Sequence, residues 1–198
     1  DAAQEVLEAN REIFLGLVAR AEDEYARGRT GDALVWAQIA GDFAWHSHPG
    51  VFASLRLEAL VREVGYRALK RARLHSGETV IVNGATGITG IGTVLSALAM
   101  GAARVIAIAR NPARLEKLHA IDPKRVATVA LGKGESITKK VKELTDGQGA
   151  SVVADLSPGG VQTLVECIRN LEGGGRVALI GANPEPLNLP VRYLMIRS

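Results

Sequence analysis

Three glycines spaced three apart, Gly84, Gly87 and Gly90, follow the short apolar run Thr79–Val82 in the stretch Val82-Asn83-Gly84-Ala85-Thr86-Gly87-Ile88-Thr89-Gly90. This spacing suits the seating of a pyrophosphate. One glycine permits a tight turn, one lets the backbone approach the ligand, and one lets the next helix pack closely on its strand. Ala85, Thr86, Ile88 and Thr89 complete the candidate loop. The helix after it would present free N–H groups and the positive end of its dipole to the phosphates. A glycine triplet alone is weak, but here a strand precedes it, a helix follows, and a second strand comes within about thirty residues.

The end of that second strand bears on which dinucleotide would bind. An NAD site places an Asp or Glu there to hold the ribose 2′-hydroxyl. Here the segment is Ile108-Ala109-Arg110-Asn111, with no carboxylate before Glu116. Arg110 can form a bidentate, charge-assisted contact to a 2′-phosphate, and Arg114 follows one helical turn later. The chemistry favours NADP over NAD. A solvated strand-end arginine is the plainer reading of Arg110.

The elements that must position these residues alternate in type. Strands are expected at Thr79–Val82, Arg104–Ala109, Arg125–Leu131, Ser151–Asp155 and Arg176–Ile180. Helices are expected at Ile91–Met100, Ala113–Ile121, Ser136–Leu144 and Val161–Leu171. Such alternation implies an α/β fold of the Rossmann type, a doubly wound parallel sheet of order 3-2-1-4-5 with helices on both faces.

Residues 1–64 have another character. They hold eleven acids against six bases, and residues 65–198 ten against eighteen. Six of the eight aromatics precede residue 65, whereas seventeen of the 22 glycines follow it. Two units are expected, a helical one over 1–64 and a dinucleotide-binding one over 65–198. In the first, Val6, Leu7, Ile13, Phe14, Leu17, Val18, Ala21 and Tyr25 recur at helical spacing. Gly28-Arg29-Thr30-Gly31 makes a turn, Asp32–Trp45 a second helix with Leu34, Val35, Ile39 and Phe43 as its stripe, and Val51–Val64 a third.

From Gly65 onward the chain resembles the medium-chain dehydrogenase/reductase superfamily, in particular its NADP-dependent quinone oxidoreductase and alcohol dehydrogenase-like branch. The resemblance rests on Gly65-Tyr66-Arg67-Ala68-Leu69, on Ser76-Gly77-Glu78-Thr79-Val80-Ile81-Val82 leading into the glycine loop, and on Gly101-Ala102-Ala103-Arg104-Val105. Asp155-Leu156 with Gly159-Gly160, then Gly173-Gly174-Gly175-Arg176-Val177 with Ile180-Gly181, extend it. Ile88-Thr89 departs from the family's usual Gly followed by Val or Ile. The resemblance implies that Ser157 lies near the cofactor and that Gly181 and Ala182 border the nicotinamide. It implies a β-rich catalytic domain as well, which residues 1–64 do not resemble, and a sixth strand after Arg197-Ser198.

Other residues invite plainer readings. His46 and His48, with Asp42, sit where helix capping explains them without a metal. Cys167 has no neighbouring His and reads as a buried structural thiol. Arg67, Lys70, Arg71 and Arg73 lack interleaved aromatics and read as a solvated face, so no nucleic-acid partner is expected. Nothing singles out Tyr193 as a proton donor. Apolar residues at 47% and charged at 23% exclude disordered and collagen-like classes. No stretch approaches the ~18 apolar residues of a membrane span, and the acidic-polar start is not expected to act as a signal peptide. A single cysteine fits a cytoplasmic setting.

The leading expectation is an NADP-binding domain of a zinc-independent oxidoreductase acting on an enone, quinone or carbonyl, with catalytic residues unassigned and slow turnover by this chain alone. The alternatives are a nucleotide-binding module without catalysis, as a fragment or chimera, and a module whose N-terminal helices dock a partner or a second copy.

Overall fold

The computed structural model describes residues 2–29, 32–33, 35–36, 39–40, 55–132, 136–181, 183 and 185–189. It divides into two compact units, Asp1–Val64 and Gly65–Ser198.

The second unit carries the sheet. Five parallel strands, β1 (Thr79–Asn83), β2 (Arg104–Ala109), β3 (Val126–Ala130), β4 (Ala150–Asp155) and β5 (Leu171–Leu179), stand in the order β3-β2-β1-β4-β5. The expected Rossmann-type order is the one found. Val80, Ile81 and Val82 of β1 are wholly buried, as a central strand covered on both faces requires. Val80 and Val82 join one core layer with Val105, Ala107 and Val152, while Ile81 joins the other with Ile106, Ile108 and Val153. This alternation is the period-two geometry of a strand.

Helices α3 (Ile88–Ala99), α4 (Pro112–His119), α5 (Ile137–Leu144) and α6 (Val161–Arg169) connect the strands. Two begin with side-chain caps. Asn111 Oδ1 accepts from the Arg114 amide at 3.1 Å, and Ser136 Oγ accepts from the Lys139 amide at 3.2 Å.

Several boundaries differ from expectation. Helix α3 starts at Ile88 rather than Ile91, because Gly87 already supplies an extended N-cap at φ −72°, ψ 163°. Strand β5 starts at Leu171 rather than Arg176. Leu171 pairs with Ala150, and a register shift follows before Val152 meets Arg176, so Gly173, Gly174 and Gly175 bulge out between two paired stretches. That early pairing ends α6 at Arg169, short of the expected Leu171.

Toward the N-terminus, helices α1 (Ala2–Ala26) and α2 (Leu55–Arg71) are observed. Helix α2 runs past Val64, where a helix end was expected, because buried Gly65 fits closely against α3. A Cβ at Gly65 would lie 2.8 Å from the Thr93 backbone. Phe14, Val18 and Ala21 of α1 are buried as its spacing requires, whereas Ile13 of the same expected stripe is exposed. Residues 32–33, 35–36 and 39–40 are helical, but the expected stripe is not the buried one: Val35 and Ile39 are exposed, and Ala33 and Ala40 are buried. Phe43, Trp45 and Phe52 lie outside the described residues. Among the described residues no helix is long and apolar enough to cross a membrane.

A clamp joins strand to helix. Arg176 of β5 donates through Nη2 to Glu78 Oε1 and Oε2 at 2.8 and 2.6 Å, and through Nε to the Ala72 carbonyl oxygen at 2.9 Å. Burial alone would raise the Glu78 pKa. Hydrogen bonds from Arg176 and the His75 amide outweigh it and hold the carboxyl below its ordinary value. Its contribution is therefore present above the unfolded value and is lost as pH falls through the lowered folded value. Arg176→Met is expected to cost about 2 kcal/mol at neutral pH and to flatten the acid limb of stability, measured by urea unfolding across pH. An unchanged acid limb would remove the clamp from the account.

Candidate functional site

The loops at the carboxyl ends of β1, β4 and β5 converge. At Gly84 the chain turns with φ +82°, and the amides of Gly84 and Ala85 both donate to the Ile108 carbonyl oxygen, at 3.0 and 3.1 Å. The loop is thus pinned to the end of β2. It closes with the Gly87 amide on the Gly84 carbonyl oxygen at 3.1 Å.

The three glycines have separable reasons. A Cβ at Gly84 would lie 3.1 Å from Leu156 C and the Ser157 nitrogen, with a positive φ besides. A Cβ at Gly90 would strike the Gly84 carbonyl oxygen and lie 2.7 Å from Ala85 Cα, so α3 can pack on the loop only without a side chain. Gly87 is different. Its φ and ψ suit any residue, and a Cβ there would meet within 4 Å only the Gly84 carbonyl oxygen, at ordinary contact of 3.4 Å. The protein itself leaves that space open.

No side chain caps α3, so the amides of Ile88, Thr89 and Gly90 lack intrahelical acceptors by helix geometry. Thr89, where the sequence departs from the medium-chain pattern, is 3% exposed, and its hydroxyl has no hydrogen-bond partner. A pyrophosphate group fits this arrangement, which offers open amides, an orphaned hydroxyl and room at Gly87.

The basic residues flank the loop. Arg110 is the first residue past β2; it is exposed and has no acidic partner among the described residues. Arg114, held in register by the Asn111 cap, donates from Nη1 to the Thr86 carbonyl oxygen at 3.5 Å. Ser157 is half-buried and donates from Oγ to the Gly159 carbonyl oxygen. Gly181 lies directly on it, since a Cβ at Gly181 would be 2.8 Å from Ser157 C. The structure therefore gathers Gly84, Ala85, Thr86, Gly87, Ile88, Thr89, Gly90, Arg114, Ser157 and Gly181, with Arg110 at the next strand end.

One pair went unnoticed at the sequence level. Asp155, 1% exposed, accepts from Asn83 Nδ2 at 2.7 Å and from the Ser157 amide at 3.4 Å. Its backbone carbonyl accepts from the Ile180 and Gly181 amides at 2.8 and 2.9 Å. This residue ties the three converging loops together. Burial pushes its carboxyl above the usual range, opposed by the bonds from Asn83 and Ser157. The sequence signal was a polar residue at the last position of two apolar runs, Asn83 after Thr79–Val82 and Asp155 after Ser151–Ala154.

Ala182, Tyr193, His46, His48 and Asp42 lie outside the described residues. Cys167 is buried, and burial pushes its thiol far up. Arg67, Lys70, Arg71 and Arg73 are exposed. Among the described residues no three His, Cys, Asp or Glu side chains are grouped where they could hold a metal ion.

Residues 89–198 match the family model described as zinc-binding dehydrogenase. Sorbitol dehydrogenase of Rattus norvegicus is 32% identical over 135 residues, which cover 68% of this chain and 37% of that protein. The quinone oxidoreductase-like protein 2 homolog of Nematostella vectensis is also 32% identical, over 67% of this chain and 35% of its own length. The solved alcohol dehydrogenase TADH from Thermus sp. ATN1 superposes with a TM-score of 0.63 at 26% identity, covering 69% of this chain and 39% of that one. The chain thus spans little more than a third of the relatives it matches.

Proposed function

The chain belongs to the zinc-binding dehydrogenase family, within the medium-chain dehydrogenase/reductase superfamily, and we propose that residues 65–198 form the NADP(H)-binding domain of an oxidoreductase that reduces an enone, quinone or carbonyl compound without zinc. The observation that carries the choice of NADP is Arg110. It stands exposed at the end of β2, where NAD would require a carboxylate, and Glu116 is the next acid.

On this reading the amides at the start of α3 bind the pyrophosphate, and Gly87 admits it by lacking a side chain. Arg110 and Arg114 pair with the 2′-phosphate. Asp155 keeps Asn83, Ser157 and Gly181 in register, so that Gly181 and Ala182 border the nicotinamide. NADPH would supply the hydride, and the protein its position and orientation. The substrate, the activity of the whole protein and a cytoplasmic setting belong to the same proposal.

Arg110→Ala tests it. Loss of an arginine–phosphate contact should cost about 1.5–3 kcal/mol of NADPH affinity, roughly a 10- to 100-fold weakening, with NADH affinity unchanged. The readout is a fluorescence titration with each cofactor. An unaltered NADPH preference would remove Arg110 from the site.

A further inference from the structure

A cavity of about 370 Å³ lies away from the glycine loop, at the amino-terminal ends of β2 and β3. It runs along the outer edge of β3, which pairs with β2 on one side alone. Helix α4 flanks it from one face of the sheet and α5 from the other, since Leu115 and Leu118 belong to one core layer and Ile137 and Val141 to the second.

Its lining is strongly cationic. Arg104, Lys124, Arg125 and Lys140 contribute positive side chains, and Glu116 is the only acid among the lining residues. Arg125 is committed to Asp122 at 2.7 Å and to the Leu98 carbonyl oxygen at 3.1 Å. Arg104, Lys124 and Lys140 have no acidic partner among the described residues, and Arg104 and Lys140 are half-buried. Against these four cations stand Asp122, paired with Arg125, and Glu116 in the lining, so positive charge is in excess by two.

The strand adds a donor. In a parallel pair alternate residues turn their backbone groups toward the same neighbour. The Arg125 carbonyl oxygen faces β2, accepting from the Val105 amide at 2.8 Å. The Val126 groups turn the other way, with the amide on the Asp122 carbonyl oxygen at 2.8 Å and the carbonyl oxygen on His119 Nδ1 at 2.7 Å. The Thr128 amide therefore lies on the open edge, within the lining of the cavity.

We propose that this cavity binds a small organic phosphate monoester, separately from the dinucleotide. A phosphomonoester carries close to two negative charges at neutral pH, which matches that excess. The volume falls at the lower end of the ~300–1,000 Å³ typical of ligand sites, more than bare phosphate fills and enough for a short polar carbon skeleton. Edge lysines also discourage strand pairing between copies. That role does not need Arg104 and Lys140 half-buried in a concave wall.

The test uses the full chain in low-salt buffer, with and without NADPH, titrated calorimetrically with glucose 6-phosphate, glucose and inorganic phosphate. Saturable binding of the ester is expected, with at least tenfold weaker binding of inorganic phosphate and none of glucose. The double variant Lys124→Gln/Lys140→Gln should weaken the ester at least tenfold and leave NADPH affinity unchanged. Each single variant serves if the double variant loses its circular dichroism spectrum. No saturation by about 10 mM, undiminished binding by the variants, equal binding of inorganic phosphate, or displacement of the ester by NADPH would each overturn the proposal. Failure of NADPH to bind would leave the ester result standing by itself.

Discussion

Replacing Gly87 with valine is expected to weaken binding of either dinucleotide by at least 100-fold while the chain stays folded. The two parts of that expectation come from one observation. Gly87 caps α3 in an extended conformation open to any residue, and a Cβ there meets nothing closer than the Gly84 carbonyl oxygen at 3.4 Å. Valine is a poor N-cap, so a stability loss of about 1 kcal/mol is expected. The branched side chain would fill the space over the open amides of Ile88, Thr89 and Gly90, where a pyrophosphate must sit. A 100-fold loss corresponds to about 2.7 kcal/mol. Circular dichroism and a cofactor titration on one sample separate the two effects. Unchanged affinity in a folded variant would move the phosphate site elsewhere.

Gly90→Ala is expected to do the reverse and attack the fold first. Its added methyl would strike the Gly84 carbonyl oxygen and lie 2.7 Å from Ala85 C and Cα, all backbone atoms of the turn that Gly84 and Ala85 pin to β2. A flexible side chain could move aside; this backbone cannot without breaking its bonds to Ile108. The cost should be about 3 kcal/mol, a large part of a typical domain's stability. The midpoint of urea unfolding reads it. A midpoint within error of the parent would show that α3 does not rest on the loop as described.

These glycines also mark how far the sequence could be read. Their spacing announced the loop, and the run Thr79–Val82 announced the strand before it, because a buried parallel strand is continuously apolar. Spacing alone could not say which glycine serves the fold and which leaves room. That distinction depends on Leu156, Ser157 and Ala85, placed by tertiary packing. The Asn83–Asp155 bond was hidden for a similar reason. The residues stand 72 positions apart and meet because the parallel register sets Asn83 beside Asp155. Likewise, Glu172-Gly173-Gly174-Gly175 reads as a loop, and the pairing of Leu171 with Ala150 ahead of the bulge has no local signal. In the first unit, helical spacing located α1 but chose the wrong face at Val35 and Ile39. Small residues can bury where two helices approach closely, and a hydrophobic stripe does not register that.

If the glycine loop and Arg110 hold the dinucleotide as proposed, the chain binds NADP(H) in preference to NAD(H). The most direct measurement is the dissociation constant of the parent chain for NADPH and for NADH, by fluorescence titration at matched ionic strength. NADPH is expected to bind at least tenfold more tightly. Equal affinities, or tighter binding of NADH, would contradict the account.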